Sequence, residues 1–247
     1  MTINLDTSVG DLVSEQTSRI EVFEEYGIDF CCGGKTTLAE ACRNAGCEPQ
    51  GVIVALMKSD KDAAAVDKVD TTDWRAATLT ALTNHIAETH HAYMKRELPR
   101  VGELMAKVLN AHGENHAELT EVASVYGALS QELTEHLLKE EQMLFPMIQE
   151  MEITREAGNT HCGTVGNPIS VMEHEHDNAG VALRRLSELT DEYTPPADAC
   201  PTYQALLAGL AAMERDLHEH IHKENNILHP RAVRLEASLL EAGAQES

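Results

Sequence analysis

A chain of 247 residues is long enough to bury a sizeable core, in one large domain or in a small one plus a medium one. Only 4% of the residues are aromatic, period-two runs of Val, Ile and Thr are scarce, and Ala, Leu, Glu and Met are plentiful, so the expected fold class is all-α. A formal net charge of -22 repels phosphate backbones and anionic head groups, which argues against nucleic acid and membrane surfaces as partners.

The opening "MTINLDTSVGDLV" carries two acids and no basic lead into an apolar run, and no stretch approaches the roughly 18 apolar residues of a membrane span, so a cytoplasmic location is expected. Residues 1–58 break into short helical pieces. "TSRIEVFEEYG" sets Ile20, Phe23 and Tyr26 on one face and stops at Gly27, "TTLAEACRNAG" stops at Gly46, and "EPQGVIVALMK" starts with Pro49 in its first turn. "SDKDAAAVDKVDTTD", residues 59–73, has the composition of a linker, and Thr72 or Asp73 is placed to cap a helix opening at Trp74.

Residues 74–247 show four long helical patterns, about 74–110, 115–151, 168–193 and 201–241, which predict an antiparallel four-helix bundle. Breaks fall at "HGEN" (112–115), "EAGNTHCGTVGNP" (156–168) and "TPPADACP" (194–201). Pro99, Pro146 and Pro230 lie inside or near the ends of three of these patterns and predict kinks or early stops. Cys31, Cys32, Cys42, Cys47, Cys162 and Cys200 form no dense disulfide framework, and reduced thiols are expected.

The bundle region writes one phrase twice: "HLLKEEQMLFP" at 136–146 and "HIHKENNILHP" at 220–230. A step of four residues in an α-helix returns to the same face, so His136 pairs with Glu140 and His220 with Glu224. One such pair is commonly a surface contact; two need partners, which the preceding helices offer as His85, His90 and His91, and as His174 and His176. His136 lies 21 residues past the "HGEN" turn, and the residue equally far before it is His91. The same register across "TPPADACP" places His220 beside His176. His91, His136, Glu140, His176, His220 and Glu224 then meet at one level.

Two ionised carboxylates in a bundle core without a cation would cost many kcal/mol or take up protons, and a dinuclear metal centre removes that conflict. Imidazole with carboxylate suits iron, manganese or zinc, and no cysteine falls at this level. With both glutamates bridging and one oxo or hydroxo group, an octahedral ion keeps a position open for dioxygen, nitric oxide or peroxide. Glu132, one turn before His136, and Glu175, beside His176, are candidates for carboxylates that support the ligands or conduct protons or cations, with an ordinary acidic helix surface as the alternative.

In front stands "DFCCGGKTTL". A phosphate loop would need glycine where Asp29 stands, which excludes nucleotide binding. Cys31 and Cys32 read in two ways: thiols with pKa lowered by a helix N-terminus, able to exchange disulfides or pass metal, or two small buried apolar groups beside a tight turn.

"DFCCGGKTTLAEA", "HLLKEEQMLFPMI", "ISVMEHEHDNAG" and "HEHIHKENNILHP" together resemble the di-iron proteins for repair of iron centres, the RIC or ScdA/YtfE-type family, over nearly the whole chain. The resemblance implies a short N-terminal domain with paired cysteines, a hemerythrin-like bundle, and two iron ions on the same six residues. It also implies a stress-response role, the restoration of iron–sulfur clusters damaged by oxidative or nitrosative stress. Damaged iron–sulfur proteins would be the partners, iron the material supplied, and Cys31 and Cys32 assistants in transfer or redox chemistry. His229 stands where that family more often has an aromatic residue. The competing functions are reduction of nitric oxide or peroxide, with electrons from a partner because no flavin or nicotinamide motif is present, and a dioxygen-binding or sensing module. A homodimer is compatible with the sequence.

Overall fold

The structure is a computed structural model and describes residues 3–63, 72–157 and 163–245. Residues 64–71 of the expected linker, and His161 and Cys162 in the 156–168 connection, lie outside the described residues. Among the described residues the regular elements are helical, with an isolated bridge between Ser8 and Thr37. The chain forms two compact units, residues 1–82 with 219–247, and residues 83–218.

The first unit begins with α1 (Val9–Glu15), α2 (Arg19–Glu25), α3 (Leu38–Ala45) and α4 (Pro49–Ala63). Short helices need their free end groups satisfied, and side chains do so here. The Ser8 hydroxyl accepts the Asp11 amide at 3.1 Å, and Thr37 accepts the Glu40 amide at 3.3 Å. Gly27 and Gly46 take left-handed φ of 63° and 69° just past α2 and α3, which is why those helices end where the sequence places their stops. Buried Arg19 binds Asp60 through two nitrogens at 2.9 and 2.8 Å and donates to the Leu12 carbonyl at 2.9 Å, joining α1, α2 and α4. The unit also contains α11 (His229–Gln245), which a π-helical turn, Lys223–Leu228, precedes.

The second unit is built from long helices: α6 (Ala92–His112), α7 (Glu118–Lys139), α8 (Phe145–Thr154) and α9 (Gly166–Leu189). Two helices run from one unit into the other, α5 (Leu79–Ile86) and α10 (Pro201–His222). A π-helical turn, Ala87–His91, continues α5 into α6, and a second, Glu140–Leu144, continues α7 into α8. Inward Val101, Met105, Val108, Leu119, Leu129 and Leu183 are all at most 4% exposed, and each such side chain is worth about 1.5–3 kcal/mol of burial.

Two sequence expectations change. The helix assigned to start at Trp74 starts at Leu79, with the Thr78 hydroxyl accepting the Ala81 amide at 3.0 Å; the Asp73 carbonyl instead closes a turn by accepting the Ala76 and Ala77 amides. The prolines end no helical run. Pro99 sits inside α6, and Pro146 and Pro230 each follow a π turn. A proline ring clashes with the carbonyl four residues back, here residues 142 and 226, and both lie in a π turn, whose wider path removes the clash.

Candidate metal centre

In the second unit the π turns carry ligand-type residues: His91 closes the first and Glu140 opens the second. The Glu140 carboxylate is fully buried, its Oε2 3.3 Å from His91 Nε2 and 3.4 Å from His136 Nε2. His176 Nε2 on α9 stands 3.0 Å from His136 Nε2. The donor atoms of His136, Glu140 and His176 all lie within 4.8 Å of one another, and each of these residues is at most 2% exposed. Such a cluster of imidazole nitrogens around one carboxylate is suited to a cation, because the same groups buried alone carry a heavy desolvation cost.

The outer nitrogens of two of these histidines face carboxylates. His91 Nδ1 donates to Glu141 Oε1 at 2.9 Å, and His136 Nδ1 donates to Glu175 Oε2 at 2.8 Å. With the proton held at Nδ1, the Nε2 lone pair points inward, the tautomer that a metal requires. Each carboxylate is in turn bound by a lysine, Lys95 at 2.6 Å from both Glu141 oxygens and Lys139 on Glu175. Partial burial alone would raise both carboxyls, but the lysine and histidine contacts hold them below the usual carboxylate range. Phe145 stacks on His91 with centroids 5.3 Å apart and fixes its ring plane.

Sequence reasoning placed Glu175 beside the histidines and missed Glu141. Glu132 is exposed on α7, and His174 is exposed as well. His90 is buried but turned to Asp216, at 3.1 Å.

In the first unit His220 and Glu224 are fully buried, with Nε2 to Oε1 at 3.1 Å; Glu224 lies in the third π turn. Beside them His222 contacts Ser14 Oγ at 3.3 Å, and burial holds its pKa down at about 4, so the ring is neutral. Asn226 donates from Nδ2 to the Cys31 and Phe30 carbonyls at 3.0 and 3.3 Å. It fits there because Gly10 and Gly34 have no side chain: a Cβ on either would stand 2.6 or 2.1 Å from Asn226 Oδ1. Buried His229 lies in the first turn of α11.

The paired cysteines are free thiols. Cys31 Sγ is buried, 3.9 Å from Cys32 Sγ and 3.4 Å from Asp29 Oδ1. Of the two sequence readings, the lowered thiol does not hold for Cys31. Its hydrogen bond with Cys32, burial and the Asp29 charge push it well above the ordinary value. The nearest following helix, α3, begins only at Leu38, too far on for its N-terminus to act.

Two family models match the chain. Residues 82–232 match the hemerythrin HHE cation binding domain, and residues 5–60 match the ScdA N-terminal domain, described as a domain of unknown function. Among similar proteins, the iron–sulfur cluster repair protein YtfE of Musicola paradisiaca is 38% identical over 94% of this chain and 98% of its own length. The proteins of the same name from Yersinia pseudotuberculosis and Dickeya chrysanthemi are 37% and 36% identical, over 92% and 93% of this chain and 96% and 97% of their own. The chain therefore belongs to the hemerythrin-domain family that includes the YtfE proteins, with the ScdA-type region at its N-terminal end.

Proposed function

We propose that this protein repairs damaged iron–sulfur clusters by supplying iron from a di-iron centre held by His91, His136, Glu140, His176, His220 and Glu224, with Glu140 and Glu224 bridging. The observation that carries the reading is the fully buried Glu140 carboxylate between His91 and His136, each imidazole fixed by its own outer carboxylate. Further support for one centre comes from the written-twice phrase and from a single family model that includes all six residues. We divide the chain into an N-terminal domain at residues 1–58, a linker at 59–73 and a bundle at 74–247; the matched stretches, 5–60 and 82–232, support this reading, while α4 reaches into the linker range, to Ala63.

Bound iron would supply exchangeable metal and one-electron chemistry. The chain's own groups do the rest. Glu140 and Glu224 would supply two negative charges that offset part of the charge of the cations. Glu141 and Glu175 hold protons on the outer histidine nitrogens, and Lys95 and Lys139 carry the chain of contacts outward to half-exposed positions. Cys31 and Cys32 assist transfer or redox steps. Their sulfurs are adjacent, and with Asp29 they form a second group of donor atoms within 4.8 Å of one another. Clients are iron–sulfur proteins damaged under oxidative or nitrosative stress, and the setting is the cytoplasm; no described helix is long and apolar enough to cross a membrane.

The test is reactivation of an iron–sulfur hydratase whose cluster has been damaged by peroxide or nitric oxide. The wild-type protein restores activity. Glu140→Leu and Glu224→Leu lose both bound iron and the repair, whereas reactivation unchanged in either variant overturns the proposal.

A further inference from the structure

Two loops of the second unit bring together a set of donors that the di-iron centre does not use. "HGENH", at the end of α6, contributes His112 and His116, and "DAC", just before α10, contributes Asp198 and Cys200. Donor atoms of His112, His116 and Asp198 lie within 4.8 Å of one another. His116 Nε2 is 3.1 and 3.2 Å from the two Asp198 oxygens, while its Nδ1 donates to Glu118 Oε1 at 2.9 Å. Glu118 holds the outer nitrogen of His116 as Glu141 holds that of His91 and Glu175 that of His136; without metal the Glu118 and Asp198 contacts raise the His116 pKa, and an ion at Nε2 would take the place of the proton shared with Asp198. Both imidazoles pack on the buried Tyr203 ring, centroids 5.3 and 5.6 Å away, so their planes are set before any ligand arrives. Cys200 stands one residue before α10, its carbonyl accepting the Gln204 amide at 3.0 Å.

We infer that His112, His116, Asp198 and Cys200 form a second metal site that takes one zinc ion. Two neutral imidazoles, a carboxylate and a thiolate make a four-donor set of mixed N, O and S type, which tetrahedral zinc favours, and the two negative ligands neutralise the ion. A hard, oxygen-seeking ion such as magnesium or calcium finds one carboxylate here and is disfavoured. His112, with help from the Tyr203 and Thr202 amides, lowers the Cys200 thiol to about 7, so deprotonation on metal binding costs little near neutral pH. The site lies about 20 residues, about 30 Å along the helices, from His91 and His136, so it is separate from the iron ligands of the second unit. Zinc there ties the α6–α7 loop to the α9–α10 loop. The site is half-buried to exposed, which suits a metal that exchanges with solvent rather than one locked in during folding.

The experiment uses the full chain with its iron loaded, titrated with zinc and, in parallel, with cobalt(II) as the spectroscopic probe. One additional equivalent binds, cobalt shows tetrahedral visible bands with a thiolate-to-cobalt charge-transfer band, and zinc in hundredfold excess over its Kd raises Tm by about 5 °C. Cys200→Ser removes the charge-transfer band, and Glu118→Gln weakens zinc about 10-fold by releasing His116. Asp198→Asn and His116→Gln lower the affinity further. Iron content and the iron absorption spectrum stay unchanged in all four variants, which separates this site from the di-iron centre. The inference is overturned if no additional equivalent binds, if the charge-transfer band persists in Cys200→Ser, or if zinc binds the His116→Gln and wild-type proteins equally.

Discussion

Replacing Glu140 by Gln keeps the length and shape of the side chain and removes only its charge, so it separates what the carboxylate does for iron from what it does to the fold. Glu140 is 0% exposed, with Oε2 3.3 and 3.4 Å from two histidine nitrogens. An ionised carboxylate at such depth carries an effective desolvation penalty of several kcal/mol, only partly offset by neighbouring imidazoles. The metal-free Gln variant should therefore be as stable as metal-free wild type or more so, by about 1–3 kcal/mol. At about 2–4 °C per kcal/mol for a domain of this size, the melting point rises by about 2–12 °C.

With iron the order reverses. A ligand at a hundredfold excess over its Kd stabilises by about 2.7 kcal/mol per site, and two sites give about 5 kcal/mol, which wild type gains and the variant loses. Calorimetric melts in chelator and in anaerobic ferrous iron read both halves of the comparison. A metal-free Glu140→Gln protein less stable than wild type by more than about 1 kcal/mol would show that the carboxylate is a structural anchor rather than a metal ligand. Equal stabilisation of both proteins by iron would refute the reasoning as well.

Glu141→Gln and Glu175→Gln should each weaken iron about 10- to 100-fold in chelator competition, because the uncharged amide is a weaker acceptor for the Nδ1–H of His91 and His136 and can turn its NH2 toward the ring instead. Gly34→Ala drives a methyl to 2.1 Å from Asn226 Oδ1 and should cost about 1–3 kcal/mol in thermal unfolding; adding Asn226→Ala recovers part of that loss, and additive costs would disprove the contact. In zinc-free protein, alkylation of Cys200 by iodoacetamide should rise with pH through a midpoint of about 7, since the thiolate is the reactive form. His112→Ala should return that midpoint to the ordinary thiol range, so that the rate at pH 7 falls by about 10-fold.

The helical periodicity and the repeated phrase were enough to read the all-α class and the i, i+4 partnerships of His136 with Glu140 and His220 with Glu224, because both depend on local helix geometry. Register counted from the "HGEN" turn picked His91 over His85 and His90, and His91 does share Glu140 with His136. The π turns were not legible, since hydrogen-bond register inside a helix leaves the hydrophobic period nearly intact. Their trace in the sequence was the proline six residues after each glutamate, which reads by itself as a kink. Glu141 was missed for the same reason: on an α-helix the residue after Glu140 faces away, but a π turn rotates less per residue and leaves it within reach of His91. The start at Trp74 failed on a long-range contact. The Trp74 and Ala77 carbonyls accept from the Arg231 guanidinium, more than 150 residues away, a hydrogen bond that no local rule anticipates.

The lysines behind the two outer carboxylates bear on how tightly iron is held. A free carboxylate hydrogen-bonded to Nδ1–H pushes electron density into the imidazole and makes Nε2 a stronger donor. Glu141 and Glu175 are not free, because Lys95 grips both oxygens of one at 2.6 Å and Lys139 binds the other. Part of each negative charge is already committed, so His91 and His136 are correctly oriented without being made maximally basic. This use of lysine is selective in a chain where 41 Asp and Glu outnumber 19 Lys and Arg. A centre meant to keep its iron through many turnovers gains nothing from weakened donors, whereas one that must surrender iron to a damaged cluster does. The geometry around His91 and His136 thus supports the proposal that this centre donates iron.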